Sequence, residues 1–166
     1  MAIVGIEDLH RALGSNRRLL GLDVGGKTVG LALSDGILMV ATPLMTLRRS
    51  KFARDAATLQ EIVAGHGVGG LVIGLPVSMD GTEGPRCQSV RQFARNLLAL
   101  IDLPMAFWDE RLSTAAVERM LIDEVDMSRR RRRQVVDKLA AAYILQGALD
   151  ALAVQARRAA SREPAP

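Results

Sequence analysis

LLGLDVGGKTVGLALSD, residues 19–35, sets an aspartate inside a run of aliphatics and follows it with two glycines and a lysine. Leu20, Leu22 and Val24 alternate with Leu19, Gly21 and Asp23, the two-residue period of a β-strand. After the turn Gly25-Gly26-Lys27, residues 28–34 read as a second strand. So short a connection makes the two strands antiparallel neighbours. A carboxylate among such residues is costly unless a cation, a hydrogen-bond network or a wet strand end compensates it.

Outward from this hairpin, residues 40–47 read as a third strand, again an antiparallel neighbour. Phe52, Ala56, Leu59 and Val63 recur at helical spacing, and Gly65, Gly67, Gly69 and Gly70 end that helix. LVIGL (71–75) is the short apolar run of a strand buried on both faces. The loop PVSMDGTEGP (76–85) follows, then a helix carrying Val90, Phe93, Ala94, Leu97 and Ile101. PMAFW (104–108) reads as a fifth strand running into Asp109, Glu110 and Arg111. Ser113 or Thr114 would cap a helix to about residue 122. The polar joint DEVDMS (123–128) then leads into a long helix over 129–155. A meander followed by crossovers predicts an α/β fold. Its sheet would be mixed and five-stranded, three antiparallel strands then two parallel, with helices on both faces. Residues 1–17 read as an N-terminal extension, a short helix or a loose segment. Residues 18–155 form one domain, and the tail ARRAASREPAP (156–166) is expected to be disordered.

A chain of 166 residues can bury a core without disulfides or structural metal. Aromatics make up only 3%, so the core must be built from Leu, Ile, Val, Ala and Met, with Met39, Met45 and Met105 as filler. The single cysteine, Cys87, has no intramolecular partner, which fits a reducing cytoplasm. No apolar run reaches the roughly eighteen residues of a membrane span, and the N-terminus has acids early and bases late, the wrong order for a secretory signal. The expectation is a cytoplasmic protein away from membranes. A net charge of +4 favours an anionic partner weakly. Clustering favours it more: Arg129, Arg130, Arg131, Arg132 and Arg133 are unbroken, and Arg48, Arg49 and Lys51 form a smaller group. An arginine run alone is most often a solvated helix start, and here Asp137 beside it tips the balance towards phosphate binding. His10 and His66 fit no ligand pattern, and Trp108 is read as packing rather than as a base-stacking platform.

Asp23 lies at the exit of the first strand, and Asp109 and Glu110 at the exit of the fifth. If strands one, four and five run parallel, these ends share the edge where open α/β sheets build their sites. Asp137 begins a helix face with Ala140, Ala141, Ile144 and Ala148, whose small residues would let that helix approach the sheet. Carboxylates gathered there repel one another unless cations intervene, and oxygen ligands suit Mg²⁺ or Mn²⁺. Two such ions about 3.5–4 Å apart would serve phosphodiester hydrolysis by water, with no covalent enzyme intermediate. Taken singly, each acid is more often a cap or an ion-pair partner. Asp109 and Glu110 point to opposite faces if the strand continues, so one of them is expected as the ligand, with Asp109 preferred.

LLGLDVGGKTVGLALSD, LVIGLPVSMDGTEGP, WDERLST (108–114) and VVDKLAAAYILQ (135–146) together resemble, in order, the four motif blocks of the YqgF/RuvX family. The family is described as Holliday junction resolvases and as nucleases that mature the 5′ end of pre-16S ribosomal RNA. The resemblance runs over nearly the whole chain. It implies an RNase H-like fold and a metal set of Asp23, an acid of WDERLST, and Asp137. It also implies a nucleic-acid partner, pre-rRNA (with ribosomal precursor particles) or branched DNA. Lys27, Arg111 and the arginines at 129–133 would contact its backbone. Thr28 stands where many relatives carry arginine, so one basic contact is missing. The phrase LDVGGKTVG also resembles the phosphate hairpin of actin-like and sugar-kinase ATPases, but those enzymes clamp ATP between two such domains and one is present here. A nucleic-acid-binding protein without catalysis is the remaining alternative.

Overall fold

The structure, a computed structural model, describes residues 2–111 and 129–162. The helix and joint expected within 113–128, and the side chains of residues 129, 130 and 132–134, lie outside the described residues. Five strands, β1 (Arg18–Val24), β2 (Thr28–Ser34), β3 (Ala41–Arg48), β4 (Val68–Leu75) and β5 (Met105–Asp109), form one sheet in the order β3-β2-β1-β4-β5. β1 pairs antiparallel with β2, and β2 with β3, while β1–β4 and β4–β5 are parallel. This is the mixed sheet expected from the sequence.

The alternation in β1 and β2 explains the layers. Leu20, Leu22, Val29 and Leu31 point to one face and are buried with Ile73 and with Ala56, Leu59, Val90, Phe93 and Leu97. Those last five belong to α2 (Phe52–His66) and α3 (Pro85–Leu98). Leu19, Ala32, Val72 and Ala106 point to the other face, against Ala141, Ile144, Leu145 and Ala148 of α4 (Arg129–Ala160). The helix α1 (Ile6–Ala12) joins that second layer through the buried Leu9. Glycine lets α4 approach the sheet. A Cβ on Gly21 would lie 2.8 Å from the Leu145 Cβ, and one on Gly30 only 2.0 Å from the Asp137 carbonyl oxygen.

Several boundaries differ from those the sequence suggests. β4 begins at Val68, not 71, because Gly67 alone ends α2: it adopts φ 62° and its amide donates to the Val63 carbonyl. Gly69 belongs to the strand, where a Cβ would come within 1.9 Å of the Asn16 carbonyl oxygen. α4 continues to Ala160, so the disorder expected from residue 156 does not begin there. Alanine and arginine are strong helix formers, which outweighs the charge of Arg157 and Arg158 as a signal for disorder. Nor are residues 2–4 a loose extension. The Val4 amide donates to the Met105 carbonyl at 2.8 Å and Ile3 bridges Met105 in parallel, covering the open edge of β5. Met105 is core as expected, but Met39 is 60% exposed and Met45 37%, because both sit on or before the edge strand β3. By length and composition Val135–Ala160 could cross a membrane, contrary to expectation. Its Ala141, Ile144, Leu145, Ala148 and Leu149 are spent on the sheet.

Candidate active site

β1, β4 and β5 run parallel, so their C-terminal ends share one edge. Asp23 is the penultimate residue of β1 and has the parity of Leu19 and Gly21, which places it on the α4 side. Glu110 directly follows β5, and its amide donates to the Leu75 carbonyl at 3.3 Å. It has the parity of Ala106 and Trp108, both packed in the α4 layer. Gly74 of β4 leaves room for it, since a Cβ there would lie 2.9 Å from the Glu110 Oε2. Asp137 arrives on α4 over Gly30, which pairs with Asp23 across the β1–β2 ladder. The Thr28 hydroxyl donates to the Asp137 Oδ2.

Three acids are thus brought to one strand edge, and their electrostatics show it. Burial first, then the charges of Glu110 and Asp137, push the Asp23 carboxyl up from 3.8 to about 7. Asp23 therefore keeps its proton near neutrality and donates it to Glu110. Burial also raises Glu110 above the usual carboxylate range, while the positive charge of Arg86 pulls both groups back. Among the described residues no three ligating side chains already surround a single point.

Asp109 stands apart. It is exposed, and a guanidinium hydrogen bond from Arg111 holds its carboxyl below the ordinary range. Arg111 Nη2 lies 2.6 Å from its Oδ2. Asp109 is the acid that the sequence reading prefers as ligand, but within the DER triplet it is Glu110 that lies beside Asp23. Alternation does send the two to opposite faces, but it is α4 that decides which face carries the site. Lys27 is exposed beside Gly26 on the β1–β2 turn. Arg49 is committed elsewhere, donating to the Gly25 carbonyl at 2.7 Å and lying over the Phe93 ring. Trp108 packs in the α4 layer, as expected from the sequence, and Cys87 is buried in the other core. The arginine run occupies the first turns of α4, where only the Arg131 side chain is described, and it is exposed.

Thr28, Gly74 and Arg86 were not singled out as site residues by the sequence. Arg86 did leave a signal: it lies in the first turn of α3, where no acidic residue occurs. A cation there opposes the helix dipole, so helix stability does not explain its place.

A family model described as RuvX, Holliday junction resolvase, matches residues 17–151. A Paramagnetospirillum magneticum protein named "Putative pre-16S rRNA nuclease" is 61% identical over 150 residues, covering 90% of this chain and 96% of its own. A Rhodospirillum rubrum protein of the same name is 58% identical over 152 residues, covering 92% and 94%. Among solved structures, Thermus thermophilus RuvC bound to a Holliday junction substrate superposes with TM-score 0.52 at 16% identity, covering 81% of this chain and 94% of its own. The yeast mitochondrial resolvase Ydc2 gives TM-score 0.53 at 11% identity, covering 92% and 86%. At such low identity these two speak for the fold alone, which is the RNase H-like one. On the family match and the full-length relatives, the chain belongs to the RuvX family of nucleases.

Proposed function

We propose that the chain hydrolyses phosphodiester bonds in structured nucleic acid as a divalent-metal-dependent endonuclease, with Asp23, Glu110 and Asp137 holding the metal. What carries this reading is the Asp23–Glu110 pair, two carboxylates sharing a proton while Asp137 adds its charge to the same edge. Nothing in the packing of the sheet needs such a cluster, and a divalent cation would relieve its repulsion. The donors are all oxygen, which fits Mg²⁺ or Mn²⁺, and three carboxylates are enough for a two-ion site. When bound, such ions offset the acids and let water attack phosphorus at neutral pH.

The chain's own residues prepare that chemistry. Asp23 gives up its proton before the pair can take a cation, so occupancy rises with pH. The Thr28 hydroxyl keeps the Asp137 carboxylate at the strand edge. Gly26 has open space where a Cβ would stand, so a phosphate can come close to the end of β1, with Lys27 beside it. Arg131, with its neighbours in the run, supplies sequence-independent attraction for the backbone.

Relatives 58–61% identical carry the name of a pre-16S rRNA nuclease, which supports that precursor as substrate; that the cut is at its 5′ end, on precursor particles in the cytoplasm, is part of the proposal. The family's resolvase description makes branched DNA the second substrate to try. The deciding experiment compares cleavage of a pre-16S 5′ segment and a four-way junction by wild type and Asp23→Asn. Mg²⁺ or Mn²⁺ should support cleavage by wild type only, and Ca²⁺ should support binding without turnover. If wild type cuts neither substrate while Asp23→Asn merely binds more tightly, the chain is a nucleic-acid-binding protein without catalysis.

A further inference from the structure

β4 lies between β1 and β5, so the chain leaving it starts between Asp23 and Glu110. That connection is tied to itself: the Ser78 amide donates to the Thr82 carbonyl, and the Thr82 hydroxyl and amide to Asp80 Oδ1. It delivers α3, whose first turn is anchored by the buried Cys87 and Val90. Arg86, beside the buried Cys87, is exposed in that first turn, which follows the chain leaving β4 between the two acids.

Three other arginines of this region have partners among the described residues, whereas Lys27 is an exposed ammonium without the guanidinium fork. Arg111 is paired with Asp109 at 2.6 Å. Arg91 is paired with Glu83 at 2.6 Å and lies over Phe107. Arg49 bonds the Gly25 carbonyl. No hydrogen bond or ion pair within 4.0 Å ties Arg86 to another described residue, although its charge reaches both Asp23 and Glu110. An exposed guanidinium whose charge is felt by both carboxylates, with no ion pair to either, leaves its donors for a ligand, and a guanidinium fork matches two phosphate oxygens.

We propose that Arg86 is the residue that grips a substrate phosphate over the Asp23–Glu110 edge and positions the strand for hydrolysis. The inference rests on the nuclease reading for its catalytic part, whereas the phosphate contact itself is measurable without turnover. One contact to a duplex contributes about −0.9 to the slope of log affinity against log salt, and to a single strand about −0.7.

The test uses the full chain, with a labelled hairpin RNA and a four-way DNA junction as probes, in calcium for binding and in magnesium for cleavage. Arg86→Gln should weaken binding of each probe about five- to tenfold and flatten the salt slope by about one unit. It should also slow single-turnover cleavage at saturating enzyme about 100-fold, because the strand is misplaced even when bound. Arg86→Lys should keep the salt slope but recover only part of the rate, since lysine retains the charge and loses the fork. Unchanged affinity and slope in Arg86→Gln overturn the proposal, even if the rate falls, because Arg86 would then act only through the field it sets up at the carboxylates. Full recovery by lysine overturns the bidentate grip. If wild type cleaves neither probe but the affinity and slope change as expected, the phosphate contact stands and the nuclease reading fails.

Discussion

Asp23 is protonated near neutrality in the metal-free protein, and the sign of its effect on stability follows. Its folded pKa of about 7 lies above the ordinary 3.8, so the folded state binds the proton more tightly than the unfolded chain. That contribution is fully present below about pH 4 and is lost as pH rises through 7. Asparagine has the shape of the protonated acid and no such loss. In EDTA, Asp23→Asn should therefore melt with wild type at pH 4 but exceed it at pH 8 by roughly 1–3 kcal/mol, while its cleavage activity is abolished. Thermal melts at the two pH values, with an activity assay, check this. Within the DER triplet, Glu110→Gln should be inactive and Asp109→Asn should stay within a few-fold of wild type. The latter loses only an exposed, solvent-screened ion pair with Arg111. Comparable losses in both variants, measured by initial rates, would contradict the geometry. The sequence could state that these two acids face opposite ways, but it could not say which face α4 covers.

The element that assembles the site is α4, and its approach depends on glycines in the strands beneath. A methyl on Gly30 would sit 2.0 Å from the Asp137 carbonyl oxygen, a backbone atom that cannot rotate away. Gly30→Ala should push α4 off β2 at a cost of about 1–3 kcal/mol or more, and activity should fall along with the melting temperature. Gly36, beside which there is open space, is the control: Gly36→Ala should leave both nearly unchanged. An active, fully stable Gly30→Ala would show that α4 need not lie so close. At this scale much was legible. The Ala140, Ala141, Ile144 and Ala148 stripe announced a closely packed helix, and each of these residues is buried. The start of β4 was not legible, because a glycine that ends a helix and one that admits a neighbouring backbone look identical in sequence. Gly67 is the first kind and Gly69 the second.

Across the whole molecule, the longest basic run lies on α4, the helix that also carries Asp137. Residues 129–133 lie in the first turns of α4, so successive side chains fan out by about 100° and at most two or three can face one duplex. Replacing all five with glutamine should weaken binding to every sequence by a similar factor and flatten the salt slope by about two to three units. An unchanged slope in a salt titration would make the run a solvated face. The sequence by itself determined the order and type of the described strands and of the helices between and after them, the mixed sheet, and a set of acids at its strand ends. Alternation, helical spacing and the short hairpin are local consequences of backbone geometry, and local patterns survive in one dimension. Only the tertiary structure decided that Glu110 rather than Asp109 meets Asp23, that Thr28 holds Asp137, and that the charge of Arg86 reaches the pair. Those depend on which face α4 covers and on where β4 delivers α3, and both are set by packing between segments distant along the chain.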